Sequence, residues 1–363
     1  MGISSALGSS ALLPAGLGFR NMVINGDMRI AQRGTSTASI TTANYYTTDR
    51  WYLNLSSAGT WTMAQTTDAP TSEGFGYSTK LTCTTAQATP ATTNNARFWQ
   101  KLEGFNVAGL AKGTSNPKPV VLSFWVKSGL TGTFICTLDD LDNSRKISQA
   151  YTINVANTWE KKTLYFNGDT TGAFVIDNTE SLMATWWLVA GPSFQGSSLS
   201  TSWSSASTLT DYANGQTNVA AGNNASVNYW QITGVQLEQN YQPTPFEQRP
   251  YGVELALCQR YFQIFGTASV EQVFGSSYFN SAVYIALMLG KLVGEMRAAP
   301  SLSVVTGGSI YNVNTAVTTN SITWNFGSSS SQTFYVFSSN AIGTANGQSL
   351  FIYGQKFNIS AEL

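Results

Sequence analysis

The pattern that decides the fold is clearest in the stretch Leu122-Ser123-Phe124-Trp125-Val126-Lys127. Apolar and polar residues alternate along it, and successive side chains of a β-strand point to opposite faces. The alternation predicts a strand that buries Leu122, Phe124 and Val126 in a core. Trp125 then lies on the opposite face, between two polar neighbours.

Runs of the same kind recur from residue 21 onward, separated by clusters of Gly, Asn, Asp, Ser and Thr. Such short, turn-bounded runs rich in β-branched and aromatic residues are typical of strands. Before residue 240 they predict strands at residues 22–24, 28–32, 50–55, 60–65, 76–84, 96–103, 120–127, 133–138, 146–155, 161–166, 172–177, 184–189 and 227–238. The fold class predicted is all-β, with an antiparallel jelly-roll β-sandwich.

A length of 363 residues suggests about two domains. Two prolines, Pro243 and Pro245, end the first strand-rich region. After them Leu255, Cys258 and Phe262 follow helical spacing, and strand-like texture then resumes. The predicted organisation is an N-terminal arm (1–20), a jelly-roll β-sandwich (21–250), a helical linker (251–262) and a second, smaller β-sandwich domain (263–363).

The first 20 residues are small and uncharged until Arg20. They form either a disordered tail or an arm that docks on other subunits in an assembly. For the second case, the candidate assembly contacts are Leu12, Leu13, Leu17 and Phe19. The segment lacks the positively charged start of a secretory signal, so no signal peptide is expected.

The composition excludes several classes of partner. Only 10% of residues are charged, against about 25% in an average soluble domain. The 19 basic and 19 acidic residues cancel, and no basic run occurs, so nucleic-acid binding is not expected. No apolar run reaches about 18 residues, so no membrane insertion is expected.

The chain contains no histidine, which excludes Ser-His-Asp catalysis and histidine-ligated zinc sites. Its three cysteines form no Cys-x-x-Cys pair, and no phosphate-binding glycine motif is present. Glycoside hydrolysis, which needs only two carboxylates, is the remaining enzymatic alternative. Nothing in the sequence pairs the candidates Glu103, Asp139, Asp177, Asp211 and Glu238, and no tailspike-like repeat is found. We therefore predict that the protein is not an enzyme, with a polysaccharide depolymerase as the less favoured alternative.

Several segments carry a more specific signal. They are NMVINGDMRIAQRG at 21–34, TDRW at 48–51, GVQLE at 234–238, TPFEQRPY at 244–251, ELALCQRYF at 254–262 and MRAAP at 296–300. Together they resemble a family of phage structural proteins, often called tail-fibre proteins, common in viruses of marine bacteria and cyanobacteria. The resemblance implies a virion protein, made in the host cytoplasm, that forms a homotrimer and contacts other virion proteins through its arm.

The Asn-Gly-Asp start and the Val-Gln-Leu-Glu end are also similar to the first and last strands of jelly-roll carbohydrate-binding modules. In those modules a structural calcium often ties the two ends together, and calcium prefers oxygen ligands. The resemblance implies Asn25 and Asp27 as its ligands. This chain departs from the pattern, because Arg29 and Thr233 stand where acidic residues are expected. Residues 139–143, the other oxygen-rich cluster, are interpreted as a hairpin turn.

Aromatic residues make up 12% of the chain, more than an ordinary core needs. Indole rings stack on the apolar faces of sugars, so the candidate carbohydrate-binding residues are Trp99, Trp125 and Trp203. For each, the alternative is a place in the core or in a subunit interface. Trp203 lies in a polar stretch, residues 195–226, that is long for a simple connection. The predicted function is a tail fibre that binds a host glycan, with a purely structural head decoration or tail adaptor as the alternative.

Overall fold

The computed structural model describes residues 19–222, 224–265, 292, 294–306 and 356–363, together with the backbone of short strands between residues 271 and 353. The predicted arm residues Leu12, Leu13 and Leu17 lie outside the described residues. In the described part of the chain, no helix is long and apolar enough to cross a membrane.

Two antiparallel sheets form the first part of the molecule. The first sheet contains, in order, β1 (Ser36–Ile40), β4 (Thr60–Thr66), β5 (Ser78–Thr85), β13 (Tyr229–Glu238), β7 (Val120–Ser128) and β10 (Glu160–Phe166). The second contains β12 (Ser204–Ser205), β9 (Arg145–Ile153), β8 (Gly132–Asp140), β11 (Glu180–Ala190), β6 (Asn95–Glu103), β3 (Tyr52–Ser56) and β2 (Asn44–Tyr45). A short helix, α1 (Gly104–Val107), and 3-10 turns at Thr71–Glu73, Ala108–Leu110 and Pro192–Phe194 interrupt the strands.

The core lies between the two sheets. Leu122, Phe124 and Val126 of β7 are fully buried in it, as the alternating pattern predicts. Opposite them, the indole of Trp51 stacks on Phe98 at a centroid distance of 4.9 Å. Burying each such side chain contributes about 1.5–3 kcal/mol to stability, so this aromatic core is the main source of the sandwich's stability.

Three predicted strands, at residues 22–24, 28–32 and 172–177, are wrong because these segments are irregular. In the first two, Asn25 and Met28 adopt positive φ angles of 57° and 60°, which lie outside the extended region of a regular strand. The Asn25 side chain replaces strand pairing there, since its amide donates to the backbone oxygens of Ile30 (2.8 Å) and Asp49 (3.0 Å). The short strands β1, β2 and β12 were not predicted.

The predicted helix is present as α2 (Tyr251–Gln259), although Phe262 already belongs to the following strand. Further antiparallel sheets follow it, which confirms the all-β plan. They are β14 (Phe262–Phe265) with β25 (Lys356–Ser360) and β19 (Ser301–Thr306); β15 (Glu271–Gln272) with β24 (Leu350–Tyr353), β20 (Ser309–Asn312) and β21 (Val317–Thr319); β16 (Tyr278–Asn280) with β17 (Val283–Ile285); and β18 (Met288–Lys291) with β23 (Thr333–Ser338) and β22 (Trp324–Ser328).

The sequence segments that suggested a phage family meet in a buried polar network between the sandwich and the helix. Asn21 donates to the backbone oxygen of Val235 at 2.9 Å. Arg249 pairs with Glu254 of α2 at 3.3 Å. Arg50, fully buried, pairs with Glu362 next to β25. These motif residues therefore join distant parts of the chain.

Candidate functional site

A groove with a volume of about 440 Å³ lies on the outer face of the six-stranded sheet. Strands β7, β13 and β10 contribute one part of its lining, and two loops, 71–76 and 243–248, contribute the rest. The lining residues are Ser123, Trp125, Lys161, Gly234, Glu73, Phe75, Pro243, Thr244, Pro245, Phe246 and Gln248. We refer to this feature as the groove.

The two loops meet through a pair of phenylalanine rings. Phe75 and Phe246 contact edge to face, with their centroids 5.0 Å apart. Phe75 also lies against Gly234 of β13, where an added Cβ would be 2.6 Å from its Cζ atom. Gly234 has a φ of +62°, a left-handed conformation that glycine adopts without steric cost. The missing side chain therefore lets the ring approach the strand.

The loop at 243–248 is held by carboxylate and amide groups from β13. Glu238 accepts hydrogen bonds from the backbone N–H of Thr244 (2.8 Å) and from its hydroxyl (2.7 Å). Gln236 accepts one from the backbone N–H of Glu247 (2.8 Å). The Val-Gln-Leu-Glu and Thr-Pro-Phe-Glu motifs of the sequence thus position one side of the groove.

Asp68 fixes the segment that leads into the 71–76 loop. Its carboxylate pairs with Lys127 at 2.8 Å and accepts a hydrogen bond from the Trp159 indole at 3.2 Å. Partial burial works to raise the pKa of Asp68, but the hydrogen bonds from Lys127 and Trp159 outweigh it and hold the pKa below its usual value. Asp68 is therefore ionised over the physiological pH range.

The polar side chains that line the groove are mostly uncommitted. Within the described residues, no hydrogen bond or ion pair engages the side chains of Ser123, Trp125, Lys161, Glu73 or Gln248. Buried polar groups in proteins are almost always bonded, and surface groups bond to water or to a ligand. Donors and acceptors thus surround an opening that also presents aromatic and proline rings, which is the mixture typical of ligand sites.

The predicted position of Trp125 is confirmed. It is half-buried on the outer face of β7, in register with Thr233 of β13 on one side and Lys161 of β10 on the other. The alternation of residues 122–127 places it there, because the neighbouring side chains Phe124 and Val126 fill the core.

Trp99 requires a correction. It is only 9% exposed, and its ring stacks on Tyr52 at 4.9 Å with an interplanar angle of 9°. It does point away from the core, as the strand pattern of β6 requires. The neighbouring ring covers it, so little surface is left for a sugar.

Trp203 is half-buried against the edge of the core rather than free on a loop. Its indole N–H donates to the backbone oxygen of Asn167 at 2.7 Å, and the ammonium of Lys112 lies 5.1 Å from its ring centroid. These contacts give the ring a structural role in fastening the long 195–226 segment to the sandwich.

The residues implied as calcium ligands have other partners. The side-chain amide oxygen (Oδ1) of Asn25 accepts the backbone N–H of Ile30 at 3.0 Å, and Asp27 pairs with Arg29 at 3.0 Å. Among the residues that the structure describes, no group of three or more Cys, Asp and Glu side chains is arranged to hold a metal ion. The Asn25 turn is thus closed by hydrogen bonds that already use the side-chain oxygen of Asn25.

The five carboxylates considered for hydrolysis are scattered and engaged elsewhere. Glu103 pairs with Arg260, Asp211 pairs with Lys146, and Glu238 holds Thr244. The remaining two, Asp139 and Asp177, also lie away from the groove lining, the first buried and the second bonded to Thr179. Glu73 is the single carboxylate among the described residues that line the groove.

Phe19, the one candidate assembly contact within the described residues, is 52% exposed. The guanidinium of Arg249 lies 4.5 Å from its ring centroid.

No known protein family matches the chain, and no curated protein matches it in sequence. Several solved structures match part of the chain, at low sequence identity and low TM-score. The enzymatically active domain of tailspike protein 4 from bacteriophage CBA120 is 15% identical over 61% of this chain and 22% of its own, with a TM-score of 0.32. TmCBM61 in complex with β-1,4-galactotriose is 9% identical over 61% of this chain and 100% of its own, with a TM-score of 0.29. A family 11 carbohydrate-binding module from Clostridium thermocellum, in complex with a mixed-linked tetrasaccharide, is 9% identical over 58% of this chain and 98% of its own, with a TM-score of 0.28.

Proposed function

We propose that this chain is a non-enzymatic phage virion protein of the tail-fibre kind, which binds a host cell-surface glycan in the groove. The observation that carries the proposal is the set of uncommitted polar side chains around Trp125. The family resemblance of the motif segments supports the virion role.

The chemistry of the groove suits a sugar chain. A pyranose ring has an apolar face that packs on an aromatic ring, and its hydroxyls need both donors and acceptors. Trp125 offers the ring, while Gln248 and Ser123 can both donate and accept hydrogen bonds. Phe246 and the prolines beside it provide further apolar surface. We therefore assign Trp125 as the main stacking residue.

The same lining supports binding over hydrolysis. Glycoside hydrolysis needs a pair of carboxyl groups roughly 5–10 Å apart on either side of the bond to be broken. Glu73 has no such partner among the described groove residues. Release of reducing sugar from host polysaccharide by the purified protein would contradict the non-enzymatic assignment.

A glycan array tests the proposed function. The full chain is expected to bind a defined set of bacterial surface glycans, and Trp125→Ala to bind the same glycans at least about fivefold more weakly. Tyr165→Ala is the matched control, because Tyr165 is an exposed aromatic on β10 outside the groove lining. Absence of binding by the wild-type protein on an array that includes host polysaccharide would overturn the proposal.

A second role, assembly with copies of itself, is favoured by one exposed apolar patch. Phe105, Val175 and Ile176 are 57%, 51% and 63% exposed, and a hydrogen bond from the Phe105 N–H to the Asp177 oxygen (2.9 Å) keeps the two segments together. Contiguous exposed apolar residues often mark protein interfaces. We propose a homotrimer, which light scattering after size exclusion tests directly; a monomer mass would contradict it.

A further inference from the structure

Two unpaired side chains of opposite charge line the groove, in a sandwich where five of the eight lysines between residues 80 and 162 are ion-paired. Lysines at five positions of the sandwich are ion-paired: Lys101, Lys112, Lys127, Lys146 and Lys162. Lys161, by contrast, is exposed at the groove with no carboxylate within pairing distance among the described residues. Glu73, from the 71–76 loop, is likewise exposed and unpaired there.

The register of the sheet sets Lys161 beside the stacking ring. Lys161 of β10 is directly opposite Trp125 of β7, so the two side chains leave the same face of neighbouring strands. Side chains opposite each other on antiparallel strands have Cβ atoms about 5 Å apart. A sugar ring that packs on Trp125 therefore carries its substituents within reach of the Lys161 ammonium.

The neighbouring lysine, Lys162, shows why the nearby carboxylate of Glu160 does not pair with Lys161. Lys162 pairs with Glu160 at 2.6 Å, and Glu160 also accepts hydrogen bonds from the backbone at Asn154 and Val155. That carboxylate is thus committed to Lys162 and the turn, which leaves Lys161 available for a ligand.

We propose that the glycan of this groove is acidic, and that an anionic substituent of the sugar stacked on Trp125 pairs with Lys161. This inference rests on the proposed function and names the ligand class of the same site. Glu73 contributes a negative charge from the 71–76 loop. It therefore repels any second anionic substituent of the glycan that lies near this loop. The acidic group is thereby confined to the Lys161 side.

Titration calorimetry with matched polysaccharides tests the ligand class. The probes are polygalacturonate, alginate and hyaluronan, each beside its carboxyl-reduced neutral form, at low and at high salt. The wild-type chain is expected to bind the acidic forms more tightly than the reduced ones. High salt is expected to reduce this difference in affinity, because it screens the charge of Lys161. Lys161→Gln should weaken binding of the acidic form by about fivefold and leave the neutral form unchanged.

Lys162→Gln is the matched control, because Lys162 lies on the same strand but does not line the groove. This substitution should leave the affinities for the acidic and the neutral forms unchanged. Glu73→Gln should tighten the binding of polygalacturonate, which is charged on every unit, because a repulsion is removed.

Equal binding of acidic and reduced forms, or binding of neutral glycans alone, would overturn the acidic class while leaving the groove as a glycan site. Failure of acidic and neutral glycans alike would overturn both proposals.

Discussion

The ring of Phe75 packs on the backbone of Gly234, and this contact determines the shape of the groove. A Cβ at position 234 would lie 2.6 Å from Phe75 Cζ, closer than carbon atoms approach in folded proteins. Phe75 in turn contacts Phe246 of the other loop. A glycine on one strand thus controls how two loops, distant in sequence, close over the sheet.

Replacing Gly234 by alanine should therefore damage stability and binding together. The left-handed φ of +62° and the collision with Phe75 should cost about 2 kcal/mol in the free energy of unfolding. Denaturant unfolding measures this change. The control is Gly252→Ala in α2, where an added Cβ meets no atom within 4 Å and helix propensity favours alanine. Equal effects of the two substitutions would contradict the packing argument.

The ion pair between Arg50 and Glu362 gives a second prediction. Arg50 is fully buried, and Glu362 also pairs with Arg33 at 3.0 Å. Glu362→Gln leaves a buried guanidinium without a compensating charge, which should lower the free energy of unfolding by about 3 kcal/mol. Glu180→Gln is the control, because its pair with Lys101 is partly exposed and should contribute less than about 1 kcal/mol. An unchanged free energy of unfolding in Glu362→Gln would show that residues 361–363 are not held as the structure describes.

Asp139 predicts a specific dependence of stability on pH. Burial raises the pKa of its carboxyl to about 6 from 3.8, with Arg97 and the hydroxyl of Tyr212 opposing the shift. The folded state therefore holds the proton more tightly than the unfolded state. The stability from this group is fully present below about pH 4 and is lost as the pH rises through 6.

The comparison with Asp139→Asn isolates this contribution. Between pH 4 and pH 7 the wild-type free energy of unfolding should fall by about 2 kcal/mol relative to that of the variant. Denaturant titrations at pH 4, 5, 6 and 7 measure both curves. Parallel curves for the two proteins would mean that Asp139 keeps an ordinary pKa in the folded state.

The sequence predicts the strands with the strongest alternation because a period of two follows directly from strand geometry. Residues 122–127 are the best example, and the position of Trp125 follows from them. The segments around Asn25 and Met28 have strand-like composition too, but their conformation depends on tertiary hydrogen bonds. One of these is the bond from the Ile24 N–H to the Gln100 side chain. No local pattern reports such a contact.

The groove itself could not be predicted, because its lining comes from loops about 170 positions apart. Phe75 and Phe246 look like ordinary loop aromatics in the sequence, and only the fold brings them together. Trp99 was misjudged for a related reason. Strand alternation tells which face a ring occupies, but it does not tell whether a neighbour such as Tyr52 covers that face.

Titration calorimetry of Trp125→Ala with a glycan that the wild-type chain binds tests the central claim most directly. Loss of a stacked ring should weaken binding by about 1–3 kcal/mol, which is about fivefold to more than a hundredfold in Kd. Tyr165→Ala should bind as the wild-type protein does, and both variants should keep the wild-type unfolding midpoint. Undiminished binding by a folded Trp125→Ala protein would contradict the assignment of the groove as the glycan site.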